Sequence, residues 1–154
     1  MNLFELKRLR RSKDKDDVFK FLNSTAEKKG FFSSNFDIYI FALSLGVKNI
    51  KRLPLSGPPS DAIQLSYFTD EQRKFMDMII IHDSNGDIEK LDKSSEDCVK
   101  NMLSVLEEYA NGGLEILLKT IEHHPENAFE NILLLLNDEL TQEIPSEATE
   151  DISW

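Results

Sequence analysis

The sequence predicts a mainly α protein: a single compact helical domain of about five helices over residues 1–140, one or two short strands, and an acidic flexible tail over 141–154. Three observations predict it. Apolar residues recur at helical spacing in most of the segments long enough to fold. Start and stop signals bracket those segments: Ser34 with Asp37, Thr69 with Gln72, and glycines at 30, 46 and 86. Alternation of strand type is confined to one short run, "AIQLSYF", at Ile63, Leu65 and Tyr67, and that run has no obvious partner.

The chain opens on a short basic element, "FELKRLRR", which suits a strand or a frayed helix. In "DKDDVFKFLNSTAEKK", Val18, Phe19, Leu22 and Ala26 share a helical face. Acidic residues at its start and Lys28 and Lys29 at its end complement the helix dipole, and Gly30 is placed to stop it. A second helix, "SSNFDIYIFALSLG", is apolar on most sides and belongs at the centre of the core. "KNIKRLPLSGPPSD" holds three prolines and a glycine and reads as an irregular connector. Thr69 opens a third helix, "DEQRKFMDMIIIH", and Ser84-Asn85-Gly86 closes it. Ser94 or Ser95 opens the next. Pro125 suits the start of a last helix, expected to bury Phe129, Ile132, Leu133, Leu136 and Leu140.

Between these lies "EEYANGGLEILLKTI", where Asn111, Gly112 and Gly113 would ordinarily end a helix. Yet Val99, Leu103, Leu106, Ala110, Gly113, Leu117 and Ile121 fall in one sector at about 100° per residue. A chain that turned at the glycines would have no reason to keep that phase. A helix running through them is therefore expected, with Gly113 on the apolar face where another backbone can come close. The alternative is a cap at Asn111-Gly112 followed by a separate helix.

Composition bounds the class. With 40% hydrophobic and 30% charged residues the chain reads as a globular protein, and no apolar run approaches the roughly 20 residues a membrane span needs. The charged start lacks the apolar core of a signal peptide, and Cys98 is the only cysteine, so a cytoplasmic location without membrane contact is expected. The net charge of −10 is unevenly spread. Met1 to Arg52 carry 12 Lys/Arg against 6 Asp/Glu, whereas Leu53 to Trp154 carry 6 against 22. The acidic part argues against indiscriminate nucleic-acid binding.

Motifs for catalysis are wanting. His123 and His124 are adjacent, point about 100° apart on a helix and cannot share one ion. "HDSNGDIEK" misplaces the glycine and the closing glutamate of a calcium loop. Cys98 sits beside Glu96 and Asp97, which disfavour a thiolate. "LSLG" and "LSGPPS" make no nucleophile elbow, and no phosphate-cradling or dinucleotide fingerprint occurs. The expectation is no enzyme, no catalytic residue, no metal and no cofactor. The basic start is the better candidate. Lys7, Arg8, Arg10, Arg11, Lys13 and Lys15 could contact double-stranded DNA or an acidic partner, and a short basic element followed by two helices has the order of a ribbon-helix-helix DNA-binding protein, which would require a homodimer. The competing reading is a charged segment that pairs with the protein's own acidic half.

Four segments together resemble a known family: "RLRRSKDKDDVFKFL", "FDIYIFALSLGVKNIKRLPL", "SDAIQLSYF" and above all "LEEYANGGLEIL". They are similar to dnd system-associated protein four, small proteins encoded beside DNA phosphorothioation genes. The likeness falls on Arg8 to Arg11, Phe41 to Gly46, Arg52 to Leu55 and Glu108 to Leu114. It spans about residues 7 to 118, which leaves the last helix and tail as an extension. The resemblance implies an accessory role in a system that replaces a phosphate oxygen of bacterial DNA with sulfur, often coupled to restriction and phage defence. It supplies no catalytic residues. The expected partners are other proteins of such a system, with Tyr109, Asn111, Gly112 and Gly113 as a partner-docking or helix-packing surface. A protein-interaction subunit unrelated to phosphorothioation is the remaining alternative.

Overall fold

The computed structural model describes residues 1–24, 30–123 and 125–142, with side chains in the last helix described as far as Asn137. Ala26, Lys28, Lys29, His124, the Leu140 side chain and the tail from 143 onward lie outside the described residues. Among the described residues the protein is mainly α, with five helices and one two-stranded antiparallel sheet. The helices are α1 (Asp16–Leu22), α2 (Asn35–Lys48), α3 (Asp70–Asp83), α4 (Glu96–His123) and α5 (Ala128–Gln142), and the strands are β1 (Arg8–Leu9) and β2 (Ile63–Gln64). The chain divides into two compact units, Met1–Leu118 and Lys119–Trp154.

In the first unit, the run that lacked an obvious partner pairs with the basic start of the chain. Arg8 faces Gln64 and Leu9 faces Ile63, antiparallel. Leu9 and Ile63 point into the core, which sets the register, since a slip by one residue would expose both. The first helix is shorter than its apolar spacing suggested. It ends at Leu22, because Asn23 takes an extended conformation and the chain turns into a bridge with Phe32, where Ser24 N–H donates to the Phe32 carbonyl at 2.8 Å.

Helix α2 is central, with Ile38, Tyr39, Ala42, Leu43 and Leu45 fully covered. Ser34 accepts from the Asp37 amide, as the sequence suggested. At α3 the capping box is complete: Gln72 N–H donates to Thr69 Oγ1 at 3.1 Å and Thr69 N–H donates to Gln72 Oε1 at 2.9 Å. Ser95 receives the Cys98 amide and so caps α4.

Helix α4 runs unbroken from Glu96 to His123, straight through Asn111-Gly112-Gly113. The expected stripe is in place: Val99, Leu106, Ala110, Gly113 and Leu117 are buried, with Leu103 and Ile121 at its margins. The glycines are tolerated because they are where other backbone comes close. A Cβ on Gly113 would overlap the Ala42 carbonyl of α2, and one on Gly112 would overlap the Lys51 carbonyl. Reciprocally, a Cβ on Gly46 of α2 would overlap the Tyr109 carbonyl of α4. The two helices therefore cross backbone to backbone, each through the other's glycine.

In the second unit, α5 follows a single 3₁₀ turn over Pro125–Asn127, one turn later than Pro125 alone suggests. Ala128 and Ile132 are buried, but Phe129 and Leu133 are exposed and Leu136 is half-buried, against the expected set. An unbroken leucine run carries no periodicity with which to tell the inward side of a helix.

Candidate functional site

The site is built where the connector after α2 crosses the middle of α4. Proline-rich and without helical hydrogen bonds, the connector needs partners for its carbonyls. Asn111 supplies them. Its side chain is 2% exposed, and its Nδ2 donates to the carbonyls of Leu53 at 3.2 Å and Pro54 at 3.3 Å. Leu53 N–H donates in turn to the Glu108 carbonyl at 3.0 Å. Gly112 lets Lys51 lie flat against the helix. Asparagine, a bare α-carbon and a helix carbonyl with room for a second donor on one helical turn together receive the connector.

Around this connector stands a charged cluster that periodicity could not find. Arg52 donates from Nε to Glu108 at 2.6 Å and from an Nη to Asp83 at 3.1 Å. Its guanidinium carbon lies 5.7 Å from the Tyr109 ring centroid, and the Tyr109 hydroxyl donates to Asp83 at 3.1 Å. Burial, with the Asp83 hydrogen bond behind it, raises the Tyr109 phenol above its ordinary value. Arg52, Asp83 and Glu108 reach the surface, whereas Tyr109, Asn111, Gly112 and Gly113 are buried. Arg52 and Glu108 stand within the segments that carried the resemblance; Asp83 gave no signal, because its partners are remote in sequence.

The basic segment divides in two. Arg11 and Lys15 are buried: Arg11 lies over the Phe19 ring at 4.0 Å and beside Asp16, and Lys15 pairs with Asp14 and Glu115, each at 3.0 Å. Arg10 donates to the buried Glu107 at 2.9 Å while its own side chain stays 60% exposed. The Tyr39 hydroxyl donates to the Arg10 carbonyl, which ties α2 to the residue that follows β1. Burial raises the Glu107 carboxyl above its ordinary value, and Arg10 opposes that rise. Lys7, Arg8 and Lys13 are exposed, and their side chains have no ion-pair partner among the described residues. The edge of β1 that pairs is taken by β2 of the same chain. Among the described residues no group of three His, Cys, Asp or Glu could hold a metal ion, and no helix is long and apolar enough to cross a membrane.

Fold and site define a small helical protein whose most distinctive turn, "EYANGG", serves packing and connector capture. The chain belongs to the family DNA sulphur modification system-associated protein 4, whose profile matches residues 8–153. The match extends through α5 and the acidic tail, so these are part of the family pattern rather than an extension beyond residue 118. No curated protein and no solved structure matches the chain significantly.

Proposed function

We propose that the chain is a non-catalytic adaptor of a DNA sulphur modification system, acting in marking or in the coupled restriction, and that it docks a larger protein subunit of that system. The family assignment supports the setting. One observation carries the adaptor reading: the basic segment, the natural candidate for DNA contact, spends Arg10, Arg11 and Lys15 on the protein's own carboxylates. The docking face we favour is the Arg52, Asp83 and Glu108 cluster, which the buried box holds at the surface with fixed geometry. Rigid, partly exposed charges beside a locked connector suit a complementary charged face on a partner.

Affinity capture after co-expression with the neighbouring modification and restriction proteins tests this. One of those proteins should be retained, and Arg52→Glu should weaken retention about tenfold while circular dichroism stays unchanged. Failure to retain any of them would refute the proposal.

Direct contact with duplex DNA is the second reading, favoured by exposed Lys7, Arg8 and Lys13 together with the half-free Arg10. It requires affinity that falls steeply with salt, by roughly one unit of log–log slope per phosphate contacted, and that disappears in an Arg8→Ala/Arg10→Ala variant.

A further inference from the structure

We propose that Ile50 is the apolar anchor of the docking face, and that it seats in an apolar socket edged with carboxylates on the protein subunit the chain captures. This rests on the adaptor reading and names the chemistry of the partner.

Helix α2 ends in a turn that demands a left-handed residue. Ile50 N–H donates to the Val47 carbonyl at 3.1 Å and Lys51 N–H to the Gly46 carbonyl at 2.8 Å, the pair of bonds that closes a helix through such a residue. The fold needs this turn, because it lays Lys51 on Gly112 and brings Arg52 to Glu108 and Asp83. Ile50 accordingly has a φ of 49°. Glycine or asparagine fills that conformation readily, whereas a β-branched residue is strained in it. The chain keeps to the rule at the end of α3. There Asn85 N–H donates to the His82 carbonyl at 3.2 Å and Gly86 N–H to the Ile81 carbonyl at 2.8 Å, and the left-handed residue is Asn85, at a φ of 57°. The same turn is built twice, and only the one beside the docking face carries isoleucine.

The fold thus explains the turn but not the side chain. Ile50 is 85% exposed, so packing against its own core does not offset the strain. Strain of this kind persists where the residue serves something other than stability. Ile50 stands two residues before Arg52, and both are exposed while Lys51 between them is half-buried, so a partner that reaches Arg52 meets Ile50 on the same connector. An aliphatic anchor in a pocket with charged contacts around it is how a small docking surface concentrates affinity. Charge describes the edge of that pocket. From Val47 to Ser60 there are three Lys/Arg and no Asp/Glu. Arg52 is answered by Glu108 and Asp83, and Lys48 and Lys51 set positive charge on both sides of Ile50. Carboxylates complement that edge. A second copy of the same face would set lysine against lysine, which disfavours a symmetric pair.

The test repeats the affinity capture with Ile50→Asn, Ile50→Val and Lys48→Gln/Lys51→Gln in the full chain, each also followed by urea denaturation. Asparagine suits the turn, so Ile50→Asn should unfold at a urea midpoint equal to or above that of wild type, yet retain the subunit about tenfold less or worse. Ile50→Val keeps a branched aliphatic chain and should weaken retention only about fourfold. The lysine variant should weaken it at low salt, with the loss shrinking as sodium chloride is raised. On size exclusion, the chain alone should elute at the same size in wild type and Ile50→Asn. Failure of the wild type to retain any protein of the system would refute the adaptor reading and the anchor with it. Where the wild type does retain one, four results overturn the anchor alone. These are equal retention by Ile50→Asn; a lowered urea midpoint, which would give the side chain to the fold; a smaller assembly of Ile50→Asn alone, which would make a second copy the occupant; and unchanged retention by the lysine variant, which would remove the acidic edge.

Discussion

Asn111 Nδ2 lies 3.2 Å from the Leu53 carbonyl oxygen, joining the middle of the longest helix to a connector 58 residues earlier in the chain. With the second bond to Pro54, it gives partners to two carbonyls that have no helix or strand to satisfy them. Asn111→Ala should destabilise the fold by about 1–3 kcal/mol, since two part-buried hydrogen bonds are lost, each contributing roughly 0.5–1.5 kcal/mol. Urea denaturation checks it. A loss below the measurement error would mean that the connector is held by other means.

The same relationship shows what could be read from the sequence. The stripe from Val99 to Leu117 kept its phase across the glycines, so an unbroken α4 was legible, and with it a close backbone approach at Gly113. Thr69 with Gln72 marked the start of α3 because its capping chemistry is local. The pairing of Arg8–Leu9 with Ile63–Gln64 was not legible, since two-residue strands carry too little alternation to reveal a partner more than 50 residues away. For the site, Arg10, Arg11 and Lys15 looked alike as charges. Only the fold distinguishes a guanidinium over Phe19 or an ammonium on Glu115 from Lys7, Arg8 and Lys13, which face solvent.

Glu107 yields a prediction about pH. Its folded carboxyl is raised above the ordinary value of 4.5 by burial, despite Arg10. The folded state therefore binds this proton more tightly than the unfolded state, and the resulting stabilisation is full below the ordinary value and lost as pH rises through the folded one. Glu107→Gln removes this dependence. Between pH 4 and neutrality (~4–7) the variant's stability relative to wild type should improve as pH rises, which denaturant midpoints at a series of pH values would show. A difference that stays flat, or runs the other way, contradicts the burial of this carboxyl.

The Arg52 cluster should matter more for geometry than for stability. Its members are partly exposed, so Arg52→Lys, which keeps the charge but cannot span Glu108 and Asp83 with one planar fork, should cost no more than about 1 kcal/mol. The deficit should shrink as sodium chloride is raised. A loss several times larger and insensitive to salt would show that the cluster is part of the core rather than a surface feature available to a partner.

The central claim is that α2 and α4 meet backbone to backbone through Gly46 and Gly113, and Gly113→Ala tests it most directly because two effects predict opposite signs. Helix propensity alone makes alanine better by about 0.8–1 kcal/mol at an interior helical position. The packing reading has the new methyl collide with the Ala42 carbonyl of α2, a rigid neighbour that can yield only by moving the helix. Overpacking of this kind costs about 1–3 kcal/mol or more. Equilibrium urea denaturation of wild type and Gly113→Ala decides between them. The account predicts a lower midpoint for the variant, and a midpoint equal to or above that of the wild type would contradict it.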